Sequence, residues 1–203
     1  MNILRNIIAI QTERRTDLGP ALPYLSRIGV LEVRSTSIIV DAGPDIGMKR
    51  LRKKLIMLRS ALHVILGNPV RIGAGSGTVV SLVAAKRSMP GGITIVPPGN
   101  EPSFLDRTAI DLLPGIGRRT ATYLRNRGVR TIGQFNKLSQ YAAVKLFGIS
   151  GIVLHDYSRG NDPREIIAIG NSEPDVSGRQ SLFSVFSKKH HPALGVAAGM
   201  DIA

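Results

Sequence analysis

One short stretch near the middle of the chain constrains the fold more than any other. Leu113-Pro114-Gly115-Ile116-Gly117 is followed by Arg118-Arg119-Thr120-Ala121, and then by Leu124 and Gly128. Two glycines that flank one apolar residue permit a tight turn, because no Cβ stands between the main chain and a ligand. The arginines after the turn open a helix that carries a small residue on one side. This pattern is typical of a helix–hairpin–helix.

Such a hairpin predicts a phosphate-binding site. The N–H groups of the turn, and those in the first turn of the next helix, can point at a phosphate oxygen. We expect Ile116 to enter the core and the arginines to supply positive charge, Arg127 included. An ordinary helical hairpin with a glycine-rich turn is the alternative, but the downstream Gly128–Gly133 segment favours phosphate binding. The candidate DNA-binding residues are Pro114, Gly115, Ile116, Gly117, Arg118, Arg119, Thr120 and Arg125.

The charge balance favours a polyanionic partner. The 203 residues include 27 Lys and Arg against 14 Asp and Glu, a net charge of +13, which attracts nucleic acid through counterion release. Aromatic residues make up only 4%, so base stacking is not expected to dominate recognition. A charged surface can also merely keep a protein in solution.

Several classes of protein are disfavoured by composition. The absence of cysteine excludes disulfides and thiolate metal sites and fits a reducing cytoplasm. The four histidines form no metal-ligand cluster, so we expect no metal, no cofactor and no small-molecule substrate. No apolar run reaches the roughly 18 residues that a membrane span needs, and the first ten residues lack the features of a signal peptide. The predicted location is cytoplasmic.

The order of elements predicts an α/β fold: a small α/β layer followed by an all-helical region that contains the hairpin. We expect a strand over 30–41, a helix over 48–66, a strand over 70–75, a helix over 76–87 and a strand over 93–96. In the helix over 48–66, Leu51, Leu55, Leu58, Leu62 and Ile65 form one stripe, while six cations cover the other sides. A solvated face explains those cations better than a binding site. The predicted divisions are a partly helical lead-in (1–26), an α/β domain (27–105), a helical domain (106–168) and a tail (169–203).

Residues 30–165 resemble the palm and thumb of the Y-family (translesion, DNA polymerase IV-like) DNA polymerases. The resemblance is specific and nearly gap-free in the thumb, and in the palm it depends mostly on order and spacing. It implies a palm-like α/β layer, a thumb-like helical domain and DNA as partner. The matching motifs are Val70–Gly73, Met89–Gly92, Leu112–Gly117, Gly128–Gly133, Phe147–Ile149 and Ser158–Pro163.

Departures from the family pattern predict that this relative is degenerate, truncated and catalytically inactive. The adjacent Asp and Glu that bind metal in the family fall on Thr36 and Ser37 when the last strand Asp is set at Asp41. Neutral hydroxyls cannot replace carboxylates that hold two Mg²⁺ ions. Only 35 residues precede Thr36, too few for the first metal-binding strand and the fingers, and the little finger has no room. We therefore expect no enzyme activity.

The tail contains a candidate sliding-clamp peptide. Arg179–Lys189 approximates the docking peptides of replication proteins, in which apolar side chains fill a pocket and a polar head fixes the register. The candidate clamp-binding residues are Gln180, Leu182, Phe183 and Phe186. An edge strand packed on the body of the protein is the alternative.

These observations favour a non-catalytic accessory protein that binds DNA without reading its sequence and acts in DNA repair or lesion bypass. The tail would tether it to a sliding clamp and raise its local concentration at the fork. Two alternatives stay open: a protein–protein scaffold in a replication or repair complex, and a subunit of a Y-family polymerase completed by another chain.

Overall fold

A five-stranded mixed sheet and eight short to medium helices make up the computed structural model, which describes residues 4–12, 16–34 and 36–162. The strands are β1 (Arg5–Thr12), β2 (Val30–Arg34), β3 (Ser37–Pro44), β4 (Val70–Gly75) and β5 (Ile93–Ile95). The helices are α1 (Leu22–Leu25), α2 (Met48–Leu66), α3 (Thr78–Arg87), α4 (Glu101–Asp106), α5 (Arg118–Arg125), α6 (Ile132–Asn136), α7 (Gln140–Phe147) and α8 (Ser150–Ser158). Short 3-10 turns lie at Gly19–Ala21 and Ile110–Leu112. The α/β fold class predicted from the sequence is confirmed.

The sheet has the strand order β2-β3-β1-β4-β5. The central strand β1 pairs antiparallel with both β3 and β4, whereas β4 and β5 run parallel. Because side chains alternate between the faces of a strand, β1 contributes to two cores. Ile8 and Ile10 pack in the same core as the leucines of α2, while Ile7 and Ala9 pack with α3.

Helix α3 is covered on both sides. Each residue from Thr78 to Ala85 is buried, because one side of the helix lies on the sheet and the other packs against the helical region. The core on that second side joins Val79, Val80 and Val83 to Leu113, Ile116 and other residues as far along the chain as Tyr157. Helix α3 therefore holds the helical region and the sheet together.

The main error of the sequence analysis lies at the start of the chain. Residues 1–26 were expected to be a partly helical lead-in, but Arg5–Thr12 forms the central strand β1. The single strand expected over 30–41 is a hairpin of β2 and β3. Helix α2 has the predicted bounds, although Ile65 is 36% exposed and does not belong to the buried stripe.

No helix within the described ranges combines the length and the apolar character that crossing a lipid bilayer would require.

Candidate nucleic-acid interface

Residues 113–117 form the turn that connects the second 3-10 turn to α5. Their two largest apolar side chains are buried, and the main chain at the two glycines is exposed. Leu113 is fully buried and Ile116 is 6% exposed, and the Ile116 N–H donates to the Leu113 carbonyl at 3.0 Å. Gly115 adopts a φ of +88°, which L-residues avoid. A Cβ at Gly115 would also lie 2.8 Å from Leu154 Cδ2. The buried apolar side chains thus fix a turn whose backbone faces solvent.

The N-terminus of α5 is left without internal partners. The first helical hydrogen bond runs from the Ala121 N–H to the Gly117 carbonyl at 2.9 Å, so the three N–H groups before it have no helical acceptor. Gly117 provides no capping side chain, and the space where its Cβ would stand is open. Within the described part of the chain no acceptor is found for these N–H groups, so they can donate to an anion.

The next two helices differ from α5 in this respect. The Thr131 side chain accepts from the Gln134 N–H, and the Gln134 side chain accepts from the Thr131 N–H, which closes a capping box at α6. Ser139 caps α7 by accepting from the Ala142 N–H at 3.1 Å. Both helix N-termini therefore use their own side chains where α5 uses none.

The cations of the predicted site are not equivalent. Arg118 and Arg119 are exposed, and neither forms an ion pair or a side-chain hydrogen bond with another described residue. Arg125 pairs with Asp111 at 3.1 Å, and the Arg127 guanidinium stacks 3.6 Å from the centre of the Tyr123 ring. Arg118 and Arg119 are consequently the cations of α5 that stay available to an outside anion.

Lys86 and Asp111 lie beside the turn, and the sequence analysis predicts neither of them. Lys86 at the end of α3 donates from Nζ to the Leu112 carbonyl at 3.3 Å, immediately before the turn. Burial lowers the pKa of Lys86, and the negative charge of Asp111 partly opposes that change. Because Lys86 and Asp111 meet only through the packing of α3 on the helical region, no local spacing in the sequence indicates the contact.

Of the two positions aligned with the family carboxylates, Thr36 lies in a turn and Ser37 begins β3, where it belongs to a row of neutral and basic residues. Gln11 of β1 pairs with Ser37 of β3 on one side and with Arg71 of β4 on the other, and Ser37 pairs with Arg34 of β2. Mg²⁺ prefers carboxylate oxygens, which this row lacks. The described residues also hold no cluster of three side chains suited to a metal ion. The described part of the row does not fit a two-metal centre.

The predicted clamp-binding residues Gln180, Leu182, Phe183 and Phe186 lie outside the described residues.

No family model matches the sequence. Curated relatives match part of it. The DNA polymerase IV of Streptomyces coelicolor is 27% identical over 112 residues, which are 55% of this chain and 23% of that protein. The DNA polymerase IV of Methanoculleus marisnigri is 32% identical over 95 residues, 47% of this chain and 26% of that protein. The chain thus spans about a quarter of the length of these two relatives.

Solved structures share the fold. The DinB structure from Sulfolobus solfataricus superposes with a TM-score of 0.64 at 17% identity and covers 71% of this chain and 44% of that one. A chimera described as a Y-family DNA polymerase superposes with a TM-score of 0.62 at 17% identity, covering 72% of this chain and 44% of that one. At such identities the likeness concerns the fold alone.

The prediction that the chain is not an enzyme is wrong when set against these relatives. They are named as DNA polymerase IV. Thr36 and Ser37 are neutral where the family has two carboxylates, but two neutral positions do not establish inactivity. The sequence, matched over about half of its length, and the fold together make this chain a relative of the Y-family DNA polymerases.

Proposed function

We propose that the chain binds the sugar–phosphate backbone of DNA, without reading sequence, in the repair or lesion-bypass reactions of a Y-family polymerase. The binding site is the helix–hairpin–helix turn, with the N–H groups at the start of α5 and the side chains of Arg118 and Arg119. Contacts to phosphate fix position on the duplex and carry no sequence information. The relatives named as polymerases and the polymerase complexes among the structural neighbours support DNA as the partner.

The observation that carries this proposal is the unfilled N-terminus of α5. Three N–H groups without a helical acceptor, an open space at Gly117 and two exposed arginines that form no ion pair with a described residue lie within one turn of helix. The partial positive charge of a helix N-terminus adds to the charge of the arginines. Together these groups suit one or two backbone phosphates.

The test is fluorescence anisotropy with a short primer–template duplex across a range of salt concentrations. Arg118→Ala/Arg119→Ala should reduce the slope of log K against log salt by about 2, since each phosphate contact contributes about 0.9. The reduction should be the same for duplexes of different sequence. Arg27→Ala/Arg107→Ala removes the same charge from exposed positions elsewhere and should leave the slope nearly unchanged. Equal slopes for the two double variants would refute the assignment.

A second substitution separates binding from folding. Gly117 has a φ of −83° and nothing within 4 Å of the place where a Cβ would stand, so Gly117→Ala should fold with wild-type stability. The added methyl group would lie where a phosphate approaches the turn, and the affinity for duplex should fall several-fold. Wild-type affinity in this folded variant would remove the turn from the interface.

DNA synthesis is the second candidate function, and the names of the relatives favour it. In this case the chain supplies the DNA-holding part of a polymerase whose site another chain completes. Primer extension with Mg²⁺ and the four deoxynucleotides tests this, first with the purified protein and then in cell extract. Metal-dependent extension by the purified protein would support it. Extension by the extract would support it if antibody depletion of the chain abolished that extension. Absence of extension in both would oppose it.

The clamp-binding peptide is the remaining part of the proposal. Gln180, Leu182, Phe183 and Phe186 should bind the apolar pocket of a sliding clamp, because a few apolar anchors dominate such contacts. Calorimetry with the clamp of the source cell should detect binding of the full chain and its loss in Phe183→Ala/Phe186→Ala. Equal binding by the variant would exclude the peptide.

A further inference from the structure

Helix α2 carries an uncompensated positive charge that the hairpin does not explain. Its 19 residues contain no Asp or Glu and six cations, namely Lys49, Arg50, Arg52, Lys53, Lys54 and Arg59. Among the described residues, none of the six forms an ion pair or a side-chain hydrogen bond. Solvated helix faces normally mix both signs, with acidic and basic residues paired one turn apart. This face has no such pairs.

The cations also lie at the unfavourable end of the helix. Five of them fall between Lys49 and Lys54, where the helix N-terminus already carries about half a positive charge, and the first turn contains no acidic residue. Each cation there opposes the stability of the isolated helix. Residues that break a local rule without a structural gain commonly mark a functional surface. An anion bound to these cations would offset their unfavourable interaction with the helix N-terminus.

The geometry of α2 directs this charge outward. Leu51, Leu55, Leu58 and Leu62 face the sheet and are buried. The rest of the helix surface is shared by the cations and by exposed apolar residues, namely Met48, Ile56, Met57, Val64 and Ile65. All five cations of the N-terminal half are exposed. A helix of this length extends for about 28 Å. Lys54 borders a cavity that Tyr24 and Arg27 also line, and the other four cations do not line it.

The α2 surface is separate from the hairpin. Helix α2 packs on the face of the sheet that carries Ile8 and Ile10. The hairpin residues Leu113 and Ile116 share a core with α3, which covers the opposite face. The sheet and α3 therefore stand between the two basic surfaces.

We propose that the outer face of α2 binds the phosphate backbone of a second nucleic-acid segment. A row of five exposed cations suits a repeating line of charges better than a single anion, which one or two of them could neutralise, and only Lys54 of the five lines the cavity beside α2. Membrane insertion would need an apolar face beside the cations. Apart from Met48, the exposed apolar side chains of α2 are Ile56, Met57, Val64 and Ile65, and they lie beyond the cluster of five cations, toward the C-terminal end of the helix. A peptide partner would need a groove or a free strand edge to hold its backbone. The proposal does not depend on the hairpin binding DNA.

Lysine footprinting tests the surface directly. The full-length protein is acetylated with and without a short duplex of mixed sequence, and the modified lysines are quantified by mass spectrometry. Lys49, Lys53 and Lys54 should lose reactivity several-fold on binding, in the wild type and also in Arg118→Ala/Arg119→Ala. Lys145, on α7, serves as internal control. Unchanged reactivity of the three lysines, or their protection by anionic phospholipid vesicles and not by duplex, would overturn the proposal.

Bridging of two duplexes provides the second readout. If both surfaces bind, wild-type protein should retain a labelled duplex on beads that carry an unlabelled one. Lys49→Gln/Arg50→Gln/Arg52→Gln/Lys53→Gln should lose this retention while the anisotropy signal of hairpin binding persists. Arg107→Gln/Lys137→Gln/Lys145→Gln/Arg159→Gln lowers the net charge equally at exposed positions outside α2 and should still bridge. Bridging by the α2 variant at the control level would contradict the inference. If the hairpin fails to bind DNA, protection of α2 in the footprint still decides the case.

Discussion

Gly115 shows how one residue fixes the shape of the candidate site. A left-handed backbone costs an L-residue about 1–2 kcal/mol, and a Cβ at Gly115 also meets Leu154. Gly115→Ala should therefore lower the free energy of unfolding by more than Gly128→Ala, whose φ of +83° is similar but whose Cβ would stand in open space. Urea denaturation of the two variants measures the difference. Equal losses would show that Leu154 yields to the new methyl group.

Lys86 should make stability depend on alkaline pH. Burial lowers its pKa in the folded state below the usual 10.5, so the unfolded chain binds more protons between the two values. The contribution of Lys86 to the free energy of unfolding therefore rises with pH through that window and is constant below the lowered pKa.

The comparison with Lys86→Met isolates this effect from other titrating groups. The difference in unfolding free energy, wild type minus variant, should increase from pH 7 toward the pKa of free lysine. Denaturant unfolding of both proteins at matched pH values measures it. A difference that stays flat or falls would mean that Lys86 is solvated in the folded protein.

The sequence predicts some site residues better than others for a physical reason. Gly115, Ile116 and Gly117 act through local backbone geometry, and the burial of Ile116 is confirmed. Arg125 was predicted as a phosphate contact, but in the folded chain it lies beside Asp111. Its pairing depends on where the 3-10 turn packs, which no local pattern records. The phosphate-binding roles themselves stay predictions.

At the scale of elements, the capping box of α6 should carry a measurable share of stability. Thr131→Ala removes the acceptor of the Gln134 N–H and should cost about 1 kcal/mol, a usual value for the loss of a capping side chain. Thr122→Ala, in the middle of α5, removes a hydroxyl that bonds only the Arg118 carbonyl one turn earlier and should be nearly neutral. Thermal unfolding distinguishes the two. A loss in Thr122→Ala as large as in Thr131→Ala would contradict the capping argument.

Element prediction succeeded where the apolar pattern was periodic and failed where it was not. Helix α2 has the predicted bounds because its leucines recur at helical spacing and Gly67 ends it in a left-handed conformation. Strand β1 was missed because Ile7–Ile10 is buried on both faces and so shows no alternation. The β2–β3 hairpin was read as one strand because Ser35-Thr36 lacks the usual glycine or asparagine of a tight turn.

At the scale of the whole molecule, the sheet and the helical region should unfold together. Leu105 and Ile110, on either side of the predicted domain boundary, belong to one core with Val83 of α3. Val83→Ala should cost about 2 kcal/mol through lost burial and a residual cavity. Hydrogen exchange should show the same loss of protection in β1 and in α8. Loss confined to one of them would show that the two regions open independently.

Because α3 is buried on two sides, its two sides become buried at different times during synthesis. The sheet side of α3 can be buried once β5 has left the ribosome, because all five strands lie before residue 96. Its other side needs Leu113, Phe135, Leu154 and Tyr157, which are synthesised later. During that interval the growing chain exposes Val79, Val80 and Val83 to solvent, and exposed apolar surface of this kind promotes aggregation of nascent chains. A chain that is truncated before α8 would therefore have a folded sheet and an exposed apolar face on α3.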